Sequence, residues 1–299
     1  MSLNIVKSTD PIRVNQLTTV IYAQPGIGKT SLAFTAKDPL LLDFDRGAHR
    51  AANRKDSVQI NSWDDVTSIT ESDLKKYETI IVDTAGRALD FLTADIIRRD
   101  PKKAYGGALT MPGFGALKAQ FGAWLKHLHT MGKDVLLIAH MEEKQRGDDM
   151  IERLDITGGS KNEIYKAADA IGRISIVNGQ RTLLFSPTDA AYGKNPGQFE
   201  PLLIPSSDQP EFPEFMEKVI SGIKHKLNAW SSEQIKANAE LTRWTLLLER
   251  VSTLSEINDL IEEAKTASKA VKMLLQQHAT KLGFVFNKKA GLYENKEAA

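Results

Sequence analysis

YAQPGIGKTSLA, residues 22–33, decides how the rest of the chain is read. It joins an apolar run (Leu17, Val20, Ile21) to a stretch of helix formers, and it closes on Gly28, Lys29 and Thr30. The spacing is that of G-x-x-x-x-G-K-[ST], with Ala23 where the first glycine stands. Gly26 and Gly28 let the backbone curl so that successive N–H groups face one concavity. A helix starting near Lys29 turns its positive end towards the same place. The pattern predicts a phosphate-binding loop made of Gln24, Pro25, Gly26, Ile27, Gly28, Lys29, Thr30 and Ser31. In it Lys29 reaches the β- and γ-phosphates of a nucleotide and the Thr30 hydroxyl holds Mg2+. Ala23 adds one methyl group, a smaller change to the chemistry than to the pattern. A glycine-rich turn before an ordinary helix is the bland alternative; the order of strand, loop, GKT and helix speaks against it.

Outward from this loop, short apolar runs read as buried parallel strands: LTTVIYA (17–23), PLLLDFD (39–45), TIIVDTA (79–85) and DVLLIAH (134–140). Between the last two, Leu117, Phe121, Trp124, Leu125 and Leu128 recur at helical spacing, which predicts a helix over 115–131. Strands alternating with helices mean an α/β fold with a doubly wound, mostly parallel sheet. IGRISIV (171–177) and RTLLFSP (181–187) flank Asn178-Gly179, a two-residue hairpin signal, so an antiparallel edge is expected.

After Phe199 prolines accumulate and the chain reads as leaving this core. A helix over 213–227 and a boundary near Ser231 are expected, dividing the chain into an N-terminal arm (1–12), a core (13–230) and a small helical C-terminal domain (231–299). Thr253 and Glu256 form a capping box, and Gly283 follows the last apolar helical face. At the end of the chain Phe284, Phe286 and Tyr293 mix with Lys288 and Lys289, either as packing or as a base-stacking patch.

Composition narrows the classes. Lys and Arg total 39 against 38 Asp and Glu, so a nucleic-acid surface must be local. There are no cysteines, which excludes thiolate metal sites and a disulfide framework. No run approaches the roughly 18 apolar residues of a membrane span, and the amino terminus lacks an apolar signal region. A cytoplasmic protein with no membrane partner is expected.

Three further positions complete a site around the phosphates. Asp83 ends the apolar strand and can hold Mg2+ through water. Asp43 and Asp45 end the strand after the loop helix; Asp45, nearer the loop, is the expected water-positioning carboxylate, with Asp43 structural. His140, at the tip of VLLIAH, is either a satisfied edge histidine or a γ-phosphate sensor.

This order of parts resembles the RecA-type recombinase core over about residues 13–205, and within it the small phage-encoded RecA-like ATPases that act as single-strand annealing recombinases. The likeness rests on AQPGIGKTSLA, LLDFD, IIVDTA, the polar end of VLLIAH, and ITGGSKNEIYKAADAIGRISI, whose Thr157, Gly158 and Gly159 match a threonine-glycine-glycine. Aspartate at 45 and histidine at 140 depart from the family's usual glutamate and amide. The resemblance implies a Mg-dependent ATPase, slow or DNA-stimulated, in the cytoplasm of a bacterial host. It also implies a homo-oligomeric ring or filament with ATP between subunits, single-stranded DNA as partner and a single-stranded-DNA-binding protein as a second one. Two mobile DNA loops would correspond to 100–114, with Lys102, Lys103 and Tyr105 beside Gly106-Gly107 and after Arg98 and Arg99, and to 141–160, with Lys144 and Arg146. Lys194, in GKNP, would either reach the neighbouring subunit's γ-phosphate or be a solvated turn lysine. A ring-forming replicative helicase or helicase loader is the alternative on the same core. A small-molecule kinase is the third reading, and no arginine-rich lid supports it.

Overall fold

The computed structural model describes residues 10, 12–147, 149–156 and 160–296. Two compact units divide it, 14–227 on one side and 1–13 with 228–299 on the other.

In the larger unit the apolar runs form strands whose residues are buried throughout: β1 (Thr18–Ala23), β2 (Pro39–Asp43) and β4 (Thr79–Asp83). β3 (Ser57–Gln59) is the exposed edge. Helices α1 (Lys29–Ala33), α2 (Trp63–Thr67) and α3 (Ala85–Arg99) connect them. A small hairpin, β5 (Ala104–Tyr105) and β6 (Ala108–Leu109), precedes α4 (Met111–Thr130). Then come β7 (Asp134–Arg146), β8 (Asp149–Leu154), α5 (Ser160–Ala167), β9 (Ala170–Val177), β10 (Gln180–Leu184) and β11 (Leu202–Leu203). The sheet order is β11-β10-β9-β1-β7-β4-β2-β3, with β8 added to β7. Pairing is parallel from β3 to β9 and antiparallel from β9 to β11 and between β7 and β8. This is the expected α/β fold with its antiparallel edge, turned at Asn178-Gly179.

Apolar side chains alternate between the two faces of the sheet. Val20, Tyr22, Leu137 and Val82 meet α3 and α4 through Leu89, Leu92, Leu117 and Phe121; Ile21, Leu136, Ile138 and Ile81 meet α1 and later residues such as Met216 and Ile223. Both faces of the parallel strands are therefore covered, which is why those strands read as unbroken apolar runs.

β7 lies between β1 and β4 and separates the Asp83 strand from the phosphate-loop strand. Two expectations change here. The segment 100–114 is folded as a 3-10 turn, a hairpin and the first turn of α4. Thr110 caps that helix, and Gly113 lies so close to the turn that a Cβ there would stand 2.3 Å from Lys103 O. Much of 141–160 is likewise a β-ribbon, because β7 continues past the sheet and folds back on β8 from Met141↔Leu154 to Arg146↔Asp149. Thr157, Gly158 and Gly159 lie outside the described residues.

The smaller unit is built on α6 (Phe215–Leu248), which starts in the larger unit, and on α7 (Leu254–Asp259), α8 (Ile261–Thr266) and α9 (Lys269–Lys281). Trp244, Leu248, Ile257, Val271 and Leu275 form its core. Its end is a β-hairpin, β12 (Phe284–Asn287) with β13 (Leu292–Asn295), where only helices and loop were expected. Tyr293 is buried against this core and Phe284 packs on it, so for two of the three rings the packing alternative holds. Among the described residues no helix is long and apolar enough to cross a membrane.

A candidate nucleotide site at the carboxyl edge of the sheet

The parallel register brings the chemistry to one edge. Asp43 stands opposite Asp83, Asp83 opposite Ile138, and Ala23 opposite His140, so β2, β4 and β1 end side by side where β7 runs on past the sheet. Ligand sites of open α/β sheets lie outside this edge.

Beyond β1, Gln24, Pro25 and Gly26 are exposed and Ile27 and Gly28 half-buried; Gly26 and Gly28 take φ +79° and +92°, the left-handed region glycine tolerates. Lys29 opens α1 and is only 6% exposed; its ammonium donates to Ala23 O at 3.0 Å and Gln24 O at 2.9 Å. Burial lowers its pKa to about 8, against the opposing pull of Asp83 and Asp45. Thr30 donates its hydroxyl to Asp83 Oδ2 at 2.6 Å, so the two groups meet although β7 separates their strands. Burial raises the Asp83 pKa; the Thr30 hydrogen bond opposes that shift, and the charges of Asp45 and Asp43 add to it. A desolvated carboxylate touching a hydroxyl, beside a buried ammonium, fits Mg2+ and a polyphosphate. Mg2+ needs only one or two carboxylates besides phosphate oxygens and water. The Ser31 hydroxyl accepts from Ala52 N at 3.0 Å.

The two aspartates after β2 separate. Asp43, buried, accepts from Gly47 N at 2.9 Å and Ala48 N at 3.0 Å and so caps the 3-10 turn Ala48–Arg50. β2 ends at Asp43, so strand alternation does not govern Asp45. That carboxylate lies 3.7 Å from His140 Nε2 and 3.3 Å from Arg87 Nε. Its pKa is lowered, first by the neighbouring His140, with burial opposing and Arg87 adding to the shift. His140 Nδ1 is buried with no hydrogen-bond partner among the described residues.

Arg87 is a site residue that the sequence reading missed. Its position one turn into the helix that follows Asp83 was the available signal. It lines a cavity of about 610 Å3 together with Asp45, Arg50 and His140, and the hairpin residues Gly107 and Ala108 border the same space.

The remaining expected residues are dispersed. Lys102 is exposed, and Tyr105 is 86% exposed on β5. Lys103 lies 3.7 Å from Asp100. Arg98 and Arg99 are committed to Asp64 and Asp95. Lys144 pairs with Glu142 at 2.9 Å, and Arg146 is exposed at the far end of the ribbon. The Lys194 ammonium donates to Tyr165 O at 2.8 Å and Ala168 O at 2.6 Å, at the C-terminal end of α5. Partly buried and bonded twice, it is not the solvated turn lysine of the second expectation.

The AAA domain family profile matches residues 15–196, well over half of the chain and all of the edge just described. The chain belongs to the AAA domain family. Its phosphate loop, Asp83 and His140 all fall within the AAA domain match. Among solved structures the chain is similar to a KaiC-like protein from the hyperthermophilic archaeon Pyrococcus horikoshii. The identity is 10% and the TM-score 0.36, over 65% of this chain and 99% of that one. No curated protein matches the sequence.

Proposed function

We propose that this AAA domain protein is a Mg-dependent ATPase that binds single-stranded DNA in recombination, as the annealing type of RecA-like protein does. The observation that carries the reading is the cavity shared by Asp45, His140 and Arg87 with the hairpin next to exposed Tyr105. A strand held at the hairpin would lie against the wall of the hydrolytic site.

Lys29 and the loop N–H groups would hold the phosphates of ATP, and Thr30 and Asp83 would hold Mg2+, which when bound neutralises charge on the phosphoryl group. Asp45 orients and deprotonates water, and His140 donates towards the terminal phosphate. On the DNA side, Tyr105 offers a ring to a base, while Lys102 and Lys103 meet phosphates, with Lys144 and Arg146 on the ribbon as a second contact. Assembly into a homo-oligomeric ring or filament, with a single-stranded-DNA-binding protein as partner, belongs to the same reading.

Strand binding tests it. In fluorescence anisotropy with a labelled oligonucleotide, replacing Lys102 and Lys103 with Ala should weaken binding. It should also flatten the log–log salt slope by roughly one to two counterions. An unchanged slope would sink the assignment of this hairpin.

A further inference from the structure

A loop that turns its N–H groups towards a phosphate turns carbonyls away from it, and those carbonyls need partners of their own. Ile27 O finds one outside the loop. It accepts from Arg181 Nη1 at 3.3 Å, and the same guanidinium donates through Nη2 to Pro205 O at 3.0 Å. Arg181 sits on the antiparallel strand β10, opposite Ile176, and its own carbonyl accepts from Ile204 N at 2.8 Å. The side chain thus bridges the phosphate loop to the chain segment that its backbone already holds.

The guanidinium also packs on the loop itself. A Cβ at Gly28 would stand 2.8 Å from Arg181 Nη1, so the guanidinium tip lies directly against residue 28, whose positive φ itself favours glycine. Lys29 differs in kind, because its ammonium must leave Ala23 O and Gln24 O to meet a phosphate. Arg181 needs no such exchange.

We propose that Arg181 is a positioning residue of the phosphate loop: by clasping Ile27 O it holds the loop ready for nucleotide. Its fixed charge adds to the field of the loop, which a neutral side chain would not supply. The inference rests on reading the loop as the ATP site. A planar fork can hold two carbonyls at once where an ammonium acts as a point charge, so lysine should restore only part of the effect.

The experiment compares wild type, Arg181→Gln and Arg181→Lys by ADP titration, steady-state ATP turnover and thermal unfolding without nucleotide. Loss of one charge-assisted hydrogen bond predicts an ADP Kd and an ATP KM about tenfold higher in Arg181→Gln. The value of kcat should stay within about twofold, because the contact is the same before and during the reaction. Arg181→Lys should fall between the two. Wild-type Kd and KM in Arg181→Gln overturn the proposal, as does a kcat that falls with the melting temperature. Should Arg181→Gln not fold, Arg181→Lys decides, and wild-type affinity in it overturns the proposal. Wild-type protein that binds no ADP overturns the reading of the loop, and the role of Arg181 with it.

Discussion

Asp45 is held between two side chains, His140 and Arg87. His140 comes from β7 where that strand leaves the main sheet and Arg87 from the first turn of α3, and together they keep the carboxyl ionised below its ordinary range. A carboxylate that activates water must be ionised, so turnover is present above its pKa and lost as pH falls through it. Removing either partner raises that pKa. The acid limb of kcat against pH should therefore move to higher pH in Arg87→Gln, and further in His140→Gln, since His140 is the larger cause. An unmoved limb in both variants would mean that Asp45 is not the group titrating. Lys29 titrates in the opposite sense. In the free protein burial brings its pKa to about 8, and a bound phosphate raises it again. Binding of ADP without divalent cation should then take up protons near pH 8 and weaken as pH rises further. Calorimetry in two buffers of different ionisation enthalpy measures that uptake, and Lys29→Arg, charged throughout, should show none.

Elements explain which of these residues the sequence could disclose. The phosphate loop, Asp83, Asp45 and His140 each close an apolar run, and the end of such a run is legible because burial on both faces leaves no other place for a polar group. Arg87 and Arg181 close nothing. Their importance comes from pairing across the fold, Arg87 with Asp45 and Arg181 with Ile27, and residue spacing does not record it. The two long loops were misread for a related reason. GluGluLysGlnArg (142–146) has no apolar alternation, yet it extends β7 because each of its residues faces one in β8. A ribbon lying off the main sheet can be polar on both faces, so the alternation that marks a half-buried strand is missing. The hairpin at 104–109 is similar: Gly106 and Gly107, at φ +58° and +81°, supply the turn, but its strands are too short to show a period. The final hairpin hid behind aromatics that suited a stacking patch equally well.

At the scale of the whole molecule the near-neutral balance of 39 basic and 38 acidic residues gives no global attraction to nucleic acid. Recognition has to come from individual loops. The division into 14–227 and 1–13 with 228–299 falls inside α6 rather than in a linker, and it assigns the first turns of that helix to the larger unit. Met216, Val219, Ile220 and Ile223 are buried in the same cluster as Ile21, Leu32 and Ile138 beneath the phosphate loop. Each such side chain contributes about 1.5–3 kcal/mol when fully buried. Four of them are comparable with the roughly 5–15 kcal/mol that separates folded from unfolded domains. A chain ending at residue 227 keeps all four and should unfold cooperatively, with a melting temperature that rises on adding ADP. A chain ending at 214 loses them and should show neither a cooperative transition nor an ADP-dependent shift. If the shorter chain melts like the longer one, α6 is not part of the nucleotide-binding core. If both fail to fold while the full chain does, the larger unit depends on residues beyond 227, and the boundary read from its packing is wrong.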